Sequence, residues 1–191
     1  MELASCAFGQ SSKITPIQVI TAVSAIVNGG KLMQPYVVEQ VVSPQGDVVQ
    51  QTEPTVKRQV ISEEASATMR QLMQSVVQEG GGKNAYVAGY AVGGKSGTSQ
   101  KLDSEDEKAR VASFIGVAPI EDPRIAVLIV LDEPHTYTSS GGTLAGPVVA
   151  RVIEDTLEYY DTPRRYTPAE KERMEASIPD TAGKNTEHAV A

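Results

Sequence analysis

A single cysteine, Cys6, among 191 residues leaves no internal disulfide to be formed. Its neighbours Ala7 and Phe8, with no basic residue within several positions, mark it as a small buried hydrophobe rather than an activated thiol. The two histidines, His135 and His188, make no cluster with it at metal-ligand spacing, so neither a metal nor a cofactor is expected. Basic residues are outnumbered, 17 against 24 acidic ones for a net charge of -7, and no basic stripe exists to neutralise phosphates. Nucleic acid is therefore not an expected partner. The longest apolar run, Ile125 to Leu131, falls far short of the roughly 18 residues that a membrane span needs. The opening residues "MELASCAFGQ" lack the basic start and apolar stretch of a secretion signal.

What the chain does have is length for one domain plus a tail, and 40% apolar residues to build its core. "ITPIQVITAVSAIVNGG" predicts a helix with Thr15 as N-cap, Pro16 at the first helical position and Gly29 or Gly30 ending it. "PYVVEQVVS", "PQGD" and "VVQQT" predict a hairpin of β-branched strands about a turn. A second helix is expected from Ser62 to Glu79, with Ala65, Met69, Leu72, Met73 and Val76 on its buried face and three glycines stopping it. After the charged excursion "LDSEDEKAR" come two strands, "RVASFIGVAPI" and "IAVLIVLDEP". The unbroken apolar run of the second predicts a central strand covered on both faces. A third helix spans "GGTLAGPVVARVIEDTLEYY", with Pro147 tolerable in its first turn or at a kink. This order predicts an α+β fold, an antiparallel β-sheet packed against helices.

One stretch is chemically distinctive: "GGKSGTSQK", Gly93 to Lys101. On a strand starting near Lys95, Lys95 and Gly97 point to one face while Ser96 and Thr98 point to the other. Gly97 lets another peptide lie close against the backbone. If the edge is open, an extended peptide can add to it, its carboxylate held by the hydroxyls and by the field of Lys95. These residues alone also fit a simple glycine-rich turn into a strand.

"KSGTSQ", with "FGQ" and "ITPIQ" upstream and "FIGVAP" and "DPRIAVLIVLDEP" downstream, resembles the C-terminal half of the transpeptidase domain of class B penicillin-binding proteins, most nearly the Gram-positive division and sporulation type. The resemblance covers residues 2 to about 160 and supplies the third motif of that superfamily as Lys95, Ser96, Gly97, with Ser in place of Thr. It implies a five-stranded antiparallel sheet between helix layers, the fold shared with serine beta-lactamases, with this motif on the edge bordering the active site. It implies acyl transfer between peptidoglycan stem peptides ending in D-Ala-D-Ala, imitated by beta-lactams, at the extracytoplasmic face of a bacterial cell membrane. Lys95, Ser96 and Thr98 become the expected catalytic residues. Gly97, Thr98 and Gln100 become the expected substrate-binding ones. Thr98 is expected to offer its hydroxyl to the substrate carboxylate and its N–H to the oxyanion.

Two motifs of the superfamily are absent. No serine is followed three positions later by lysine, and no Ser-x-Asn occurs. Without the nucleophile and its lysine no acyl-enzyme can form on these residues, so the chain is expected to begin partway through the domain. Residues 1–160 are thus expected to be the C-terminal part of a transpeptidase domain, and 161–177 a charged linker or short exposed helix. Residues 178–191 resemble the truncated start of a PASTA repeat and equally a disordered tail. His135 sits in a loop expected at the rim of the site. Asp132 and Glu133, adjacent at a strand end, are expected to point apart and to be solvated. The alternative to a transpeptidase segment is a non-catalytic module binding peptides or partners at an open sheet edge. A half-domain with large apolar faces would also be expected to dimerise through them.

Overall fold

In a computed structural model, residues 13–101 and 104–177 are described. Cys6, "FGQ", His188 and the PASTA-like tail lie outside them.

Thr15 begins the first helix, α1 (Pro16–Val27), through a reciprocal capping box. Its hydroxyl accepts from the Gln18 N–H at 3.4 Å and its own N–H donates to Gln18 Oε1 at 2.9 Å. Gly29 and Gly30 end it with φ of +87° and +89°, a conformation that side chains disfavour. Ser62 caps the second helix, α2 (Glu63–Gln78), by accepting from the Ala65 N–H at 3.1 Å. Two polar contacts join these helices. Arg70 donates to the terminal carbonyl of α1 at Val27, and the buried Ser66 hydroxyl accepts from the Gly29 N–H at 3.0 Å. Orphan groups at the end of α1 are thereby satisfied from its neighbour.

Between the helices run four short strands, β1 (Lys31–Met33), β2 (Gln40–Val42), β3 (Val48–Gln51) and β4 (Val56–Gln59), paired β1 with β4 and β2 with β3. The expected hairpin is β2–β3. The outer pair was not expected, because three or four residues containing Lys31, Lys57 and Arg58 give no alternating pattern.

The main sheet is antiparallel, in the order β5 (Gly93–Gln100), β6 (Arg110–Ala118) and β7 (Ile125–Asp132). Among the described residues it has these three strands rather than five, and β6, not β7, is central. The apolar run of β7 is nevertheless covered on both faces, by α1 on one and by the last long helix on the other. Its outer edge has no paired strand among the described residues, and Val130, near its end, is exposed.

Alternate residues of β6 enter two cores. Phe114 and Ala118 are fully buried with Val149, Ile153 and Leu157, whereas Val117 packs with Val27, Met73 and Ile120. Burying a side chain such as Phe114 contributes roughly 1.5–3 kcal/mol. The expected third helix is two, α3 (Gly141–Leu144) and α4 (Gly146–Tyr159), because Pro147 falls in the first turn of α4 and has no N–H with which to extend the preceding turn.

Beyond α4 the charged segment is fastened down. Arg164 lies 4.8 Å over the Tyr90 ring and donates to Ala88 O at 2.8 Å, Glu154 at 2.6 Å and Glu158 at 2.5 Å. The last helix, α5 (Pro168–Ser177), carries Glu170, which accepts from the Tyr86 hydroxyl and from the Gly89 N–H at 3.0 Å. Burial acts to raise the Glu170 carboxyl, but hydrogen bonds from Tyr86, Thr167 and Gly89 outweigh it and hold the group at about 2. Tyr86 is pushed up to about 12 by burial and by the same carboxylate.

A folded-state carboxyl below its ordinary value stabilises the contact fully above pH 4.5 and progressively less as pH falls towards about 2. The protection factor of the Gly89 amide, its exchange rate relative to the intrinsic rate at each pH, should therefore fall over that window in the native chain, and the step should vanish in Glu170→Gln. Arg164→Ala should lower stability to urea by about 1–3 kcal/mol, since it leaves two carboxylates and a carbonyl without their donor.

Candidate functional site on the edge strand

Strand β5 pairs with β6 alone among the described residues, so alternate peptide groups on its other side are not engaged in a ladder. The register sets Lys95 opposite Ile115, Ser96 opposite Phe114, Gly97 opposite Ser113 and Thr98 opposite Ala112. Lys95, Thr98 and Gln100 are exposed, and Ser96 and Gly97 half-buried. The Lys95 ammonium donates to Ser96 O at 2.7 Å, lying back along its own strand. Gln100 donates to Glu107 O at 3.4 Å. All five expected site residues thus lie on one continuous strand.

On the face bearing Ser96 and Thr98, the segment leading into α3 reaches the Thr98 hydroxyl. Thr98 Oγ1 accepts from the Gly141 N–H at 3.2 Å and donates to Ser139 O at 3.4 Å. Such contact requires a residue without a side chain at 141. A Cβ there would stand 2.0 Å from Ser113 O and 2.4 Å from Gly97 O. On the opposite face, a Cβ at Gly97 would meet Ser113 Oγ at 2.6 Å. Ser113, Ser139 and Gly141 thus shape the surroundings of the strand, and the sequence reading singled out none of them. The available signal was the "SSGG" at a helix start, where paired glycines mark close backbone approach.

Lys95 on the strand and Lys101 just beyond it differ. Lys101 bridges Asp132 at 2.9 Å and Glu133 at 2.8 Å, which hold its ammonium well above the usual lysine range, Glu133 first. These carboxylates converge rather than point apart, because Glu133 leaves the strand with φ of +49°. Among the described residues no ion pair involves Lys95, so its charge is the one available to an anion beside Gly97. His135 lines a cavity of about 230 Å³ between residues 106–110 and 133–139, next to the Gln100 end of the strand. A larger one, about 310 Å³, lies at the other end, between α2, the β6–β7 turn and the 162–170 segment. No group of three or more potential ligands for a metal occurs among the described residues. No helix there is long and apolar enough to cross a membrane.

An antiparallel sheet packed against helices, with Lys-Ser-Gly-Thr along one edge strand, has counterparts among solved transpeptidase domains of penicillin-binding proteins. The sequence model of the penicillin binding protein transpeptidase domain matches residues 1–154, and the chain belongs to that family, in its class B branch. Stage V sporulation protein D of Bacillus subtilis is 43% identical over 174 residues, 90% of this chain and 27% of that protein. The transpeptidase domain of Burkholderia pseudomallei penicillin-binding protein 3 superposes with a TM-score of 0.71 at 34% identity, over 87% of this chain and 48% of that one. Penicillin-binding protein 3 of Mycobacterium tuberculosis, solved with ampicillin, gives 0.75 at 28% identity, over 86% of this chain and 39% of its own. The chain therefore spans about a quarter of the length of the sporulation protein.

Gly141→Ala should push α3 off the sheet, since both atoms in its way are backbone, and should lower the urea-unfolding free energy by about 1–3 kcal/mol. Gly46→Ala, in the exposed hairpin turn where nothing stands within 4 Å, is the control. Its cost should be confined to its positive φ, about 1 kcal/mol or less.

Proposed function

We propose that the chain is the substrate-binding wall of a penicillin-binding D,D-transpeptidase that cross-links peptidoglycan at the outer face of the cell membrane. In this reading residues 1–160 are the C-terminal part of its transpeptidase domain. The observation that carries the proposal is β5: an edge unpaired among the described residues, with the cation, the bare glycine and the hydroxyls in order along it, in a member of this family. The carboxyl end of a stem peptide, or of the beta-lactam that imitates it, adds to this edge by main-chain hydrogen bonds. Gly97 leaves room for the peptide, and Gln100 borders its far end. Lys95 supplies positive potential without a competing carboxylate. Thr98 donates its hydroxyl to the substrate carboxylate, exchanging the long bond to Ser139 O for a charge-assisted one, while the Gly141 N–H keeps the oxygen in place. Its backbone N–H serves the oxyanion, where one such donor contributes about 3–4 kcal/mol.

The attacking serine and its lysine have no counterpart in these 191 residues. They are supplied by sequence outside them. Fluorescent penicillin should accordingly leave no covalent adduct on this chain, and labelling of any serine within it would overturn the assignment. In a longer protein that includes a Ser-x-x-Lys segment, Gly97→Val and Lys95→Ala should each slow acylation about a hundredfold or more. Binding of a D-Ala-D-Ala peptide that is lost in Gly97→Val yet indifferent to Lys95→Ala would instead mark a non-catalytic peptide-binding edge.

A further inference from the structure

From Lys31 to Val60 no residue is buried, and every residue of β2 and β3 is exposed. This hairpin is held by its own ladder, by the Thr52 N–H to Glu39 O bond at 2.8 Å and by the turn at Ser43 to Asp47. An isolated two-stranded hairpin is marginal in water. This one nevertheless presents Val37, Val38, Val41, Val42, Val48 and Val49 to solvent, Val37 almost entirely. Edge strands that must stay unpaired usually carry lysine or an interior proline. Here neither strand has either.

Charge decides what can cover such a surface. Between Gln34 and Thr55 the ionisable side chains are Glu39, Asp47 and Glu53, plus Tyr36, with no lysine or arginine. A second copy would bring its own three carboxylates against these, and an anionic lipid surface would likewise be repelled. We infer that the β2–β3 arm is a docking site for an extended, apolar segment of another protein, flanked by lysine or arginine, which adds to an edge of the hairpin as a further strand. Main-chain bonds and the valines would hold the segment, and the acidic rim would select it.

The test uses the 191-residue chain with two fluorescent peptides sharing an alternating valine/threonine core, one flanked by lysines and the other by glutamates. Anisotropy should show the lysine-flanked peptide binding at least about tenfold more tightly, with the preference shrinking as salt rises. Val49→Lys, a change at an exposed position, should reduce its affinity about tenfold or more. Glu39→Lys with Glu53→Lys should remove the preference between peptides. Equal binding of both peptides, or of neither, overturns the inference. So does a concentration-dependent dimer in sedimentation that Val49→Lys abolishes, or adsorption of the arm to phosphatidylglycerol vesicles.

Discussion

The segment from Ser139 to Val149 approaches the sheet at distances that only glycine permits. Gly141 lies over the carbonyls of Ser113 and Gly97, and Gly116 lies under Val149, where a Cβ would come within 2.4 Å. Gly94 gives the same room to the Phe114 ring, where a Cβ would stand 2.6 Å away. Interiors packed to this density do not absorb an added methyl without shifting a backbone or a rotamer. The consequence reaches the edge strand directly. Only with α3 so close can a main-chain N–H at 141 orient the Thr98 hydroxyl, on a strand whose outer edge pairs with no other strand among the described residues.

The two ends of the sheet are finished differently, by means matched to what each must do. At the Gly93 end, Arg164 and Glu170 bring a charged segment down onto Tyr86, Gly89 and Tyr90 through several partly buried, charge-assisted bonds, which are the stronger kind. At the Gln100 end, Lys101 joins Asp132 and Glu133, at the end of β7, in ion pairs open to water that contribute little to stability. The more useful effect of that arrangement is electrostatic bookkeeping along β5. It neutralises one lysine and leaves the other, Lys95, to act on whatever anion lies beside Gly97.

Much of this was legible before any coordinates. Helix ends were read from Thr15, Pro16, Ser62 and the glycines because capping is a local interaction encoded within four residues. The stretch GGKSGTSQ reads as a strand for the same reason, and β5 runs through all of it. Long-range placement was not encoded locally. The apolar run of β7 reports that both its faces are covered, but says nothing of its edge, so a strand at the border of the sheet read as a central one. Likewise "DTPRRYTPAEKERMEAS" carries the composition of a solvated linker, yet Arg164 and Glu170 find partners that are 76 and 81 residues away in the chain, at Ala88 and Gly89. Gly141 belongs to the same class, its meaning fixed by Ser113 and Gly97 rather than by its neighbours.

The central claim is that β5 receives a peptide end along its open edge. Hydrogen exchange read at single amides, with and without a peptide ending in D-Ala-D-Ala, tests it most directly. The account predicts new protection at alternate amides between Ser96 and Gln100, with the amides of β6 that already bond β5 unchanged. Protection absent from β5, or confined to the segments around the two cavities, would contradict it.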